Sequence, residues 1–177
     1  MIKNEIAQYA IDDCRTELDK IWHMIEAVGS TNKISGYLTR YALVRICGTL
    51  EISYKTIIAD YYVQQSPLLD RFITRHVRDA NRNPNYNNIC NTLKEFDEEK
   101  CKLFKQTISS LKNAEDFKSS LDTINTSRNA IAHGASSSLS FNDLKAHFEK
   151  ALKIIEVLDS LFYTSHNPKC PHTKALV

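Results

Sequence analysis

Turn formers are scarce in this chain of 177 residues, with four glycines and four prolines, under half of the roughly 12% combined share of an average protein. That shortage leaves too few chain reversals for a many-stranded sandwich or barrel. No stretch approaches the ~20 consecutive apolar residues that a membrane-crossing helix needs, so no membrane segment is expected. Neither sign of charge dominates, since 23 Lys+Arg face 21 Asp+Glu for a formal net charge of +2. Any affinity for nucleic acid must therefore come from local clustering of cations. CxxC pairs, Gly-rich phosphate loops, GxSxG elbows and HExxH pairs are all missing, which disfavours nucleotide hydrolysis and zinc hydrolysis. The first residues, MIKNEIAQYAIDDCRTE, place acids and amides where a signal peptide would carry an unbroken apolar run. A cytoplasmic location is the expectation. The five cysteines, Cys14, Cys47, Cys90, Cys101 and Cys170, are odd in number and mostly sit among apolar positions, as reduced and partly buried thiols do.

Apolar residues recur at intervals of three and four along most of the chain, the period of an amphipathic helix. Ile6, Ala10, Cys14, Leu18, Ile21, Ile25 and Val28 mark a first long helix that ends at Gly29. A second is predicted from Gly36 to Gln64, with Leu38, Tyr41, Val44, Cys47, Leu50, Tyr54, Ile57 and Tyr61 on its face. Pro67 starts a third through Leu68, Leu69, Phe72, Ile73, His76 and Val77. The segment from Asn81 to Asn88 carries five Asn and a Pro and reads as a loop. Shorter helices follow over 88–96 and 97–111. Another is predicted to start at Asn113, with Asp116 as its capping partner, and to stop at Gly134. A last helix starts at Ser140-x-x-Asp143 and runs to Phe162. The sum is an all-α antiparallel helical bundle of about four long helices plus two or three short ones, one domain over 1–164 with a flexible tail at 165–177.

Chemistry concentrates in Ser127-Arg128-Asn129-Ala130-Ile131-Ala132-His133-Gly134. One reading is structural: His133 sits favourably at the negative end of a helix dipole and Gly134 caps. The other is functional, because a permanent cation and a group titrating near neutrality are what phosphate chemistry requires. Five positions separate Arg128 from His133, about 140° around an ideal helix and ~7.5 Å along it. One helix therefore presents both poorly to one phosphate. A two-fold axis beside that helix would gather two copies of each into one cleft.

The RNAIAHG segment resembles the hallmark of the HEPN ribonucleases, an Arg and a His separated by four to six residues with a polar residue after the Arg. The run from Arg82-Asn83-Pro84-Asn85 through Ile89 and Leu93 to Phe96 is similar to the RiboL-PSP branch of that superfamily, and the resemblance spans roughly Ala7 to Phe162. It implies a metal-independent endoribonuclease without cofactor, acting on RNA as a homodimer, often as a toxin or antiviral defence component held by an antitoxin or triggered by a sensor protein. Under that resemblance His133 is a general acid or base, Arg128 holds the phosphate, and Asn129 orients or binds substrate. Glu51 is the candidate for a carboxylate that orients Arg128, as an alternative to a solvated surface acid. The resemblance equally admits a catalytically silent module binding RNA, a nucleotide or a protein partner.

Gly48, inside the second helix, costs about 1 kcal/mol relative to Ala and suggests that another helix packs closely there. Arg71, Arg75, Arg78 and Arg82, spaced 4, 3 and 4, share one helix face on an ideal helix and could follow an RNA backbone, or could simply be solvated. Tyr86 could stack on a base or anchor the core. His166, Cys170 and His172 lack the fourth ligand of a zinc site. His23, His76 and His147 are single helical histidines, and no metal site is expected.

Overall fold

The computed structural model describes residues 1–135 and 139–163, which contain helices and no strand. The predicted tail and the His166, Cys170, His172 group lie outside the described residues. Helix α1 (Glu5–Val28) begins at Asn4, whose side-chain oxygen accepts the Ala7 N–H at 2.9 Å. It ends at Gly29, where φ is +89° and the N–H reaches the Ile25 carbonyl. Asn32 caps α2 (Lys33–Gln65) through the Ile34 N–H, three residues earlier than the apolar spacing indicated.

At about 50 Å, α2 is the axis of the bundle. It packs against α1, against α6 (Ala114–Ala132) and against α7 (Phe141–Tyr163), and α6 and α7 pair with each other. The shorter α4 (Tyr86–Phe96) and α5 (Glu98–Ser109) pair with one another, and α5 leans on α7. Buried apolar side chains from every helix join one cluster, in which Tyr54, Phe104, Phe148 and Phe162 are the largest fully enclosed residues. Fully burying a side chain of this kind is worth roughly 1.5–3 kcal/mol. Arg45 crosslinks α2 to α1 by reaching both Glu17 and Asp13 at 2.6 Å.

Two expectations change here, and the start of the last helix holds. The third helix is not one regular helix: a 3₁₀ turn (Pro67–Leu69), one α turn α3 (Asp70–Ile73) and a π turn (Thr74–Arg78) follow each other. The π turn is closed by the Asp79 N–H on the Thr74 carbonyl at 2.9 Å, and only Ile73 and Val77 are buried, while Leu68 and Phe72 face solvent. Asn113 precedes α6 without a side-chain cap, because its backbone (φ −118°, ψ 32°) is not the extended form a cap needs. At α7 the Ser140 hydroxyl accepts the Asp143 N–H at 3.1 Å and donates to the Asp143 carboxylate, so the shorter Asp completes its own version of the box.

The largest difference lies on α2. Its core face is Leu43, Ile46, Cys47, Leu50, Tyr54, Ile57 and Ile58. A second apolar row, Ile34, Tyr37, Tyr41, Val44 and Ile52, is half or more exposed or nearly so (49–67%) on the opposite side. Gly48 stands in the same row, and a Cβ built on it would meet nothing within 4 Å. No helix among the described residues packs on Gly48, contrary to expectation, because this face of α2 is open.

Candidate functional site at the end of α6

Helix α6 ends as its sequence requires. Gly134 adopts φ +81°, its N–H bonds the Ile131 carbonyl at 3.0 Å, and the Ala135 N–H bonds the Ala130 carbonyl at 2.8 Å. This pair of bonds is the Schellman arrangement, and its left-handed position suits glycine. His133 is the cap residue, with φ −95° and ψ 15°, and it is exposed.

One turn earlier, Arg128 and Asn129 are half-buried. Arg128 Nη1 donates to Asn129 Oδ1 at 3.3 Å, and Asn83 Nδ2 reaches the same oxygen at 3.5 Å. The loop that supplies Asn83 is held from below. Asn125, buried three residues before Arg128, donates to the Pro84 carbonyl at 2.8 Å and to Leu121 O at 2.9 Å, and its oxygen accepts the Cys47 thiol at 3.8 Å. Sequence reasoning missed Asn125. The signal was an amide on the otherwise apolar face of Leu121 and Ile124, where a buried polar group must have found partners.

Glu51 does not pair with Arg128. Its carboxylate accepts Lys55 Nζ at 2.5 Å, one turn along α2, and the same ammonium also donates to the Ala80 carbonyl. Lys55 is 5% exposed, and a buried ammonium must take the nearest anion. Both Glu51 and Arg128 nevertheless flank Cys47. Burial pushes that thiol up to about 11, with Arg128 pulling it down and Glu51 raising it. Cys47 is thus a neutral thiol at physiological pH. Cys14, Cys90 and Cys101 are likewise buried and free.

The basic row divides in two. Arg78 is drawn inward by the π turn onto Asp60 at 2.5 Å, with Asp70 at 3.6 Å. Arg82, beyond the helix, makes a two-pronged contact with Glu95 at 2.7 and 3.0 Å and a bond to Thr92 at 3.1 Å. Arg71 and Arg75 remain exposed. The four residues therefore do not share one face, since the irregular turns break the ideal helical period. Tyr86 is a core anchor, stacked on Phe104 at 5.8 Å. Of the lone histidines, His147 meets the Ser120 hydroxyl at 3.1 Å, His76 stacks on Phe72, and His23 lies near Glu26 at the surface. Among the described residues no cluster of metal-ligating side chains is present.

Concavities of about 520 Å³ between Tyr86 and Ser127 and of about 420 Å³ between Trp22, Arg40 and Ile131 border α6. Neither includes Arg128, Asn129 or His133. His133 is exposed and Arg128 and Asn129 are half-buried, on the helix that meets α2 through Cys47 and Asn125.

Among the described residues the fold is all-helical, and α6 closes on Arg-Asn-x-x-x-His, the combination expected of a HEPN-domain protein. The model of the RiboL-PSP-HEPN family matches residues 10–164, and the chain belongs to that family. No curated protein and no solved structure matches it. Among the described residues no helix is long and apolar enough to cross a membrane.

Proposed function

We propose that this protein is a metal-independent endoribonuclease that works as a homodimer, with Arg128, Asn129 and His133 of both copies lining one cleft. The observation that carries the reading is that the helix bearing these residues packs on α2, whose outer apolar row is left exposed. On a helical wheel that row lies between the side of α2 that meets α1 through Arg45 and Glu17 and the side that meets α6 through Cys47 and Asn125. A contiguous exposed apolar stripe of this length marks a protein interface. A second copy is the occupant that also completes the site, because an isologous contact repeats each group across the axis. Gly48, which costs helix stability and where an added Cβ would meet no described residue within 4 Å, is where two α2 helices can cross closely.

RNA carries its own nucleophile. The 2′-oxygen attacks the adjacent phosphorus while the bond to the 5′-oxygen breaks, leaving a 2′,3′-cyclic phosphate and a 5′-hydroxyl. His133 takes the 2′-hydroxyl proton or delivers one to the departing oxygen. Arg128 stabilises the charge that builds on the phosphate oxygens. Asn129 binds or orients the substrate, Glu51 acts only through its pair with Lys55, and Arg71 and Arg75 contact the RNA backbone further out. A toxin or defence role, with a neutralising or sensing protein partner, fits an enzyme of this kind.

Cleavage of total RNA in excess EDTA, with His133→Ala and Arg128→Ala alongside and the mass of each in solution recorded, tests the reading. Each substitution is expected to lower the rate about a hundredfold or more, the scale of lost acid–base or oxyanion catalysis, while leaving the dimer intact. Cleavage that survives both changes refutes the assignment. RNA binding without cleavage by the wild-type protein would assign the silent module instead.

A further inference from the structure

The loop from Asp79 to Asn85 is held with unusual completeness. Between Ala80 and Pro84 four carbonyls accept side-chain donors from three helices: Ala80 from Lys55, Arg82 from the Tyr54 hydroxyl at 2.9 Å, Asn83 from Asn88 Nδ2 at 2.9 Å, and Pro84 from Asn125 Nδ2 at 2.8 Å. Moving this loop would strand several buried donors at once, each at a cost of about 1–3 kcal/mol. Asn83 is therefore positioned as firmly as a helical residue, although it lies in a loop.

Its side chain is half-buried and points at the candidate site, with Nδ2 on Asn129 Oδ1. The orientation of both amides follows from Arg128. A guanidinium only donates, so the end of Asn129 that faces Arg128 is its oxygen. Asn83 must then turn its amino group to that same oxygen. Asn83 Oδ1 and Asn129 Nδ2 are left as an acceptor and a donor on the paired amides, with no partner among the described residues. An acceptor beside a donor is the complement of a nucleobase edge, which an asparagine side chain can bind in two-pronged fashion. Single-stranded RNA can present such edges, because its bases are free to splay out.

We propose that Asn83, together with Asn129, reads the edge of the nucleobase bordering the cleaved phosphate, and that Asn83 is the specificity-determining residue of the site. The proposal rests on the ribonuclease reading, and the test separates the two. Fluorescent ten-nucleotide homopolymers of A, C and U are bound to His133→Ala in EDTA and followed by anisotropy, and wild-type cleavage positions are mapped in parallel. His133→Ala is expected to favour one homopolymer by at least about tenfold, and adding Asn83→Ala to reduce that ratio to under about threefold, the scale of one lost two-pronged base contact. Asn83→Asp, which preserves size but turns the amino group facing Asn129 into an acceptor, is expected to do the same and covers the case in which the alanine variant melts early. A base preference that persists in both variants, or no preference in His133→Ala, overturns the assignment of Asn83. Wild-type protein that fails to cut RNA while its base preference depends on Asn83 overturns the ribonuclease reading alone. Wild-type protein that cuts, with Asn83→Ala cutting at the same positions, overturns the Asn83 proposal alone.

Discussion

Val44→Asp is the sharpest probe of the open face of α2. Val44 is 50% exposed and lies one turn from Gly48 in the outer row, so the substitution removes little from the folded protomer. Its cost to folding should stay within about 0.5 kcal/mol, as for surface changes generally. The cost to pairing is larger. The exposed half of the side chain leaves on the order of 80 Å² to be covered by a second copy, worth ~2 kcal/mol at ~25 cal/mol/Å². A two-fold contact counts the loss twice, so dimerisation should weaken by about 4 kcal/mol, or about a thousandfold in Kd, before the desolvation of two carboxylates is added. Sedimentation velocity across nanomolar to micromolar protein reads the equilibrium directly, and circular dichroism melting confirms the fold. The expected result is a dimeric wild type, a monomeric variant with a wild-type melt, and cleavage that tracks the dimer fraction. A Val44→Asp protein that sediments as the wild type does would refute the placement of the interface.

The remaining predictions concern the cap and an acid-sensitive crosslink. Gly134→Ala places a side chain at φ +81° in otherwise open space, so urea unfolding should show a loss of about 1 kcal/mol from backbone strain; unchanged stability would disprove the left-handed cap. Glu17 is held below its ordinary value of 4.5 first by the Tyr41 hydroxyl and then by Arg45, with burial opposing. A depressed folded-state value means that its stabilisation is present above about pH 4.5 and is lost as pH falls through the lower folded value. Glu17→Gln should therefore show a shallower decline in melting temperature than wild type between about pH 5 and pH 3, and parallel curves would count against the crosslink.

Much of the site's framework was legible in the sequence because it depends on local rules. Arg128 and His133 lie near the end of α6 because the apolar period of Leu121 and Ile124 and the stop at Gly134 are properties of neighbouring residues. Asn4, Asn32, Asn85 and Asp97 each cap a helix through a side chain two or three residues from the N–H it accepts. The partners across the fold were not legible. Glu51 was a candidate either to orient Arg128 or to sit solvated at the surface, but the ammonium of Lys55, four residues away and buried, takes it instead. Arg78 and Arg82 read as part of an RNA-binding stripe until a π turn and the carboxylates of Asp60 and Glu95 claimed them.

By itself, then, the sequence determined the helical class, most helix boundaries and the spacing of the Arg and the His, since all of these follow from interactions within a few residues along the chain. Tertiary structure alone decided which face of α2 is core and which is open, because α2 is apolar on two sides and only the packing of α1, α6 and α7 distinguishes them. It also brought Asn83 to Asn129 across 46 residues. The physical reason is the same in both cases: a buried polar or apolar group takes whatever partner the packed fold brings to it, and sequence distance does not encode that choice.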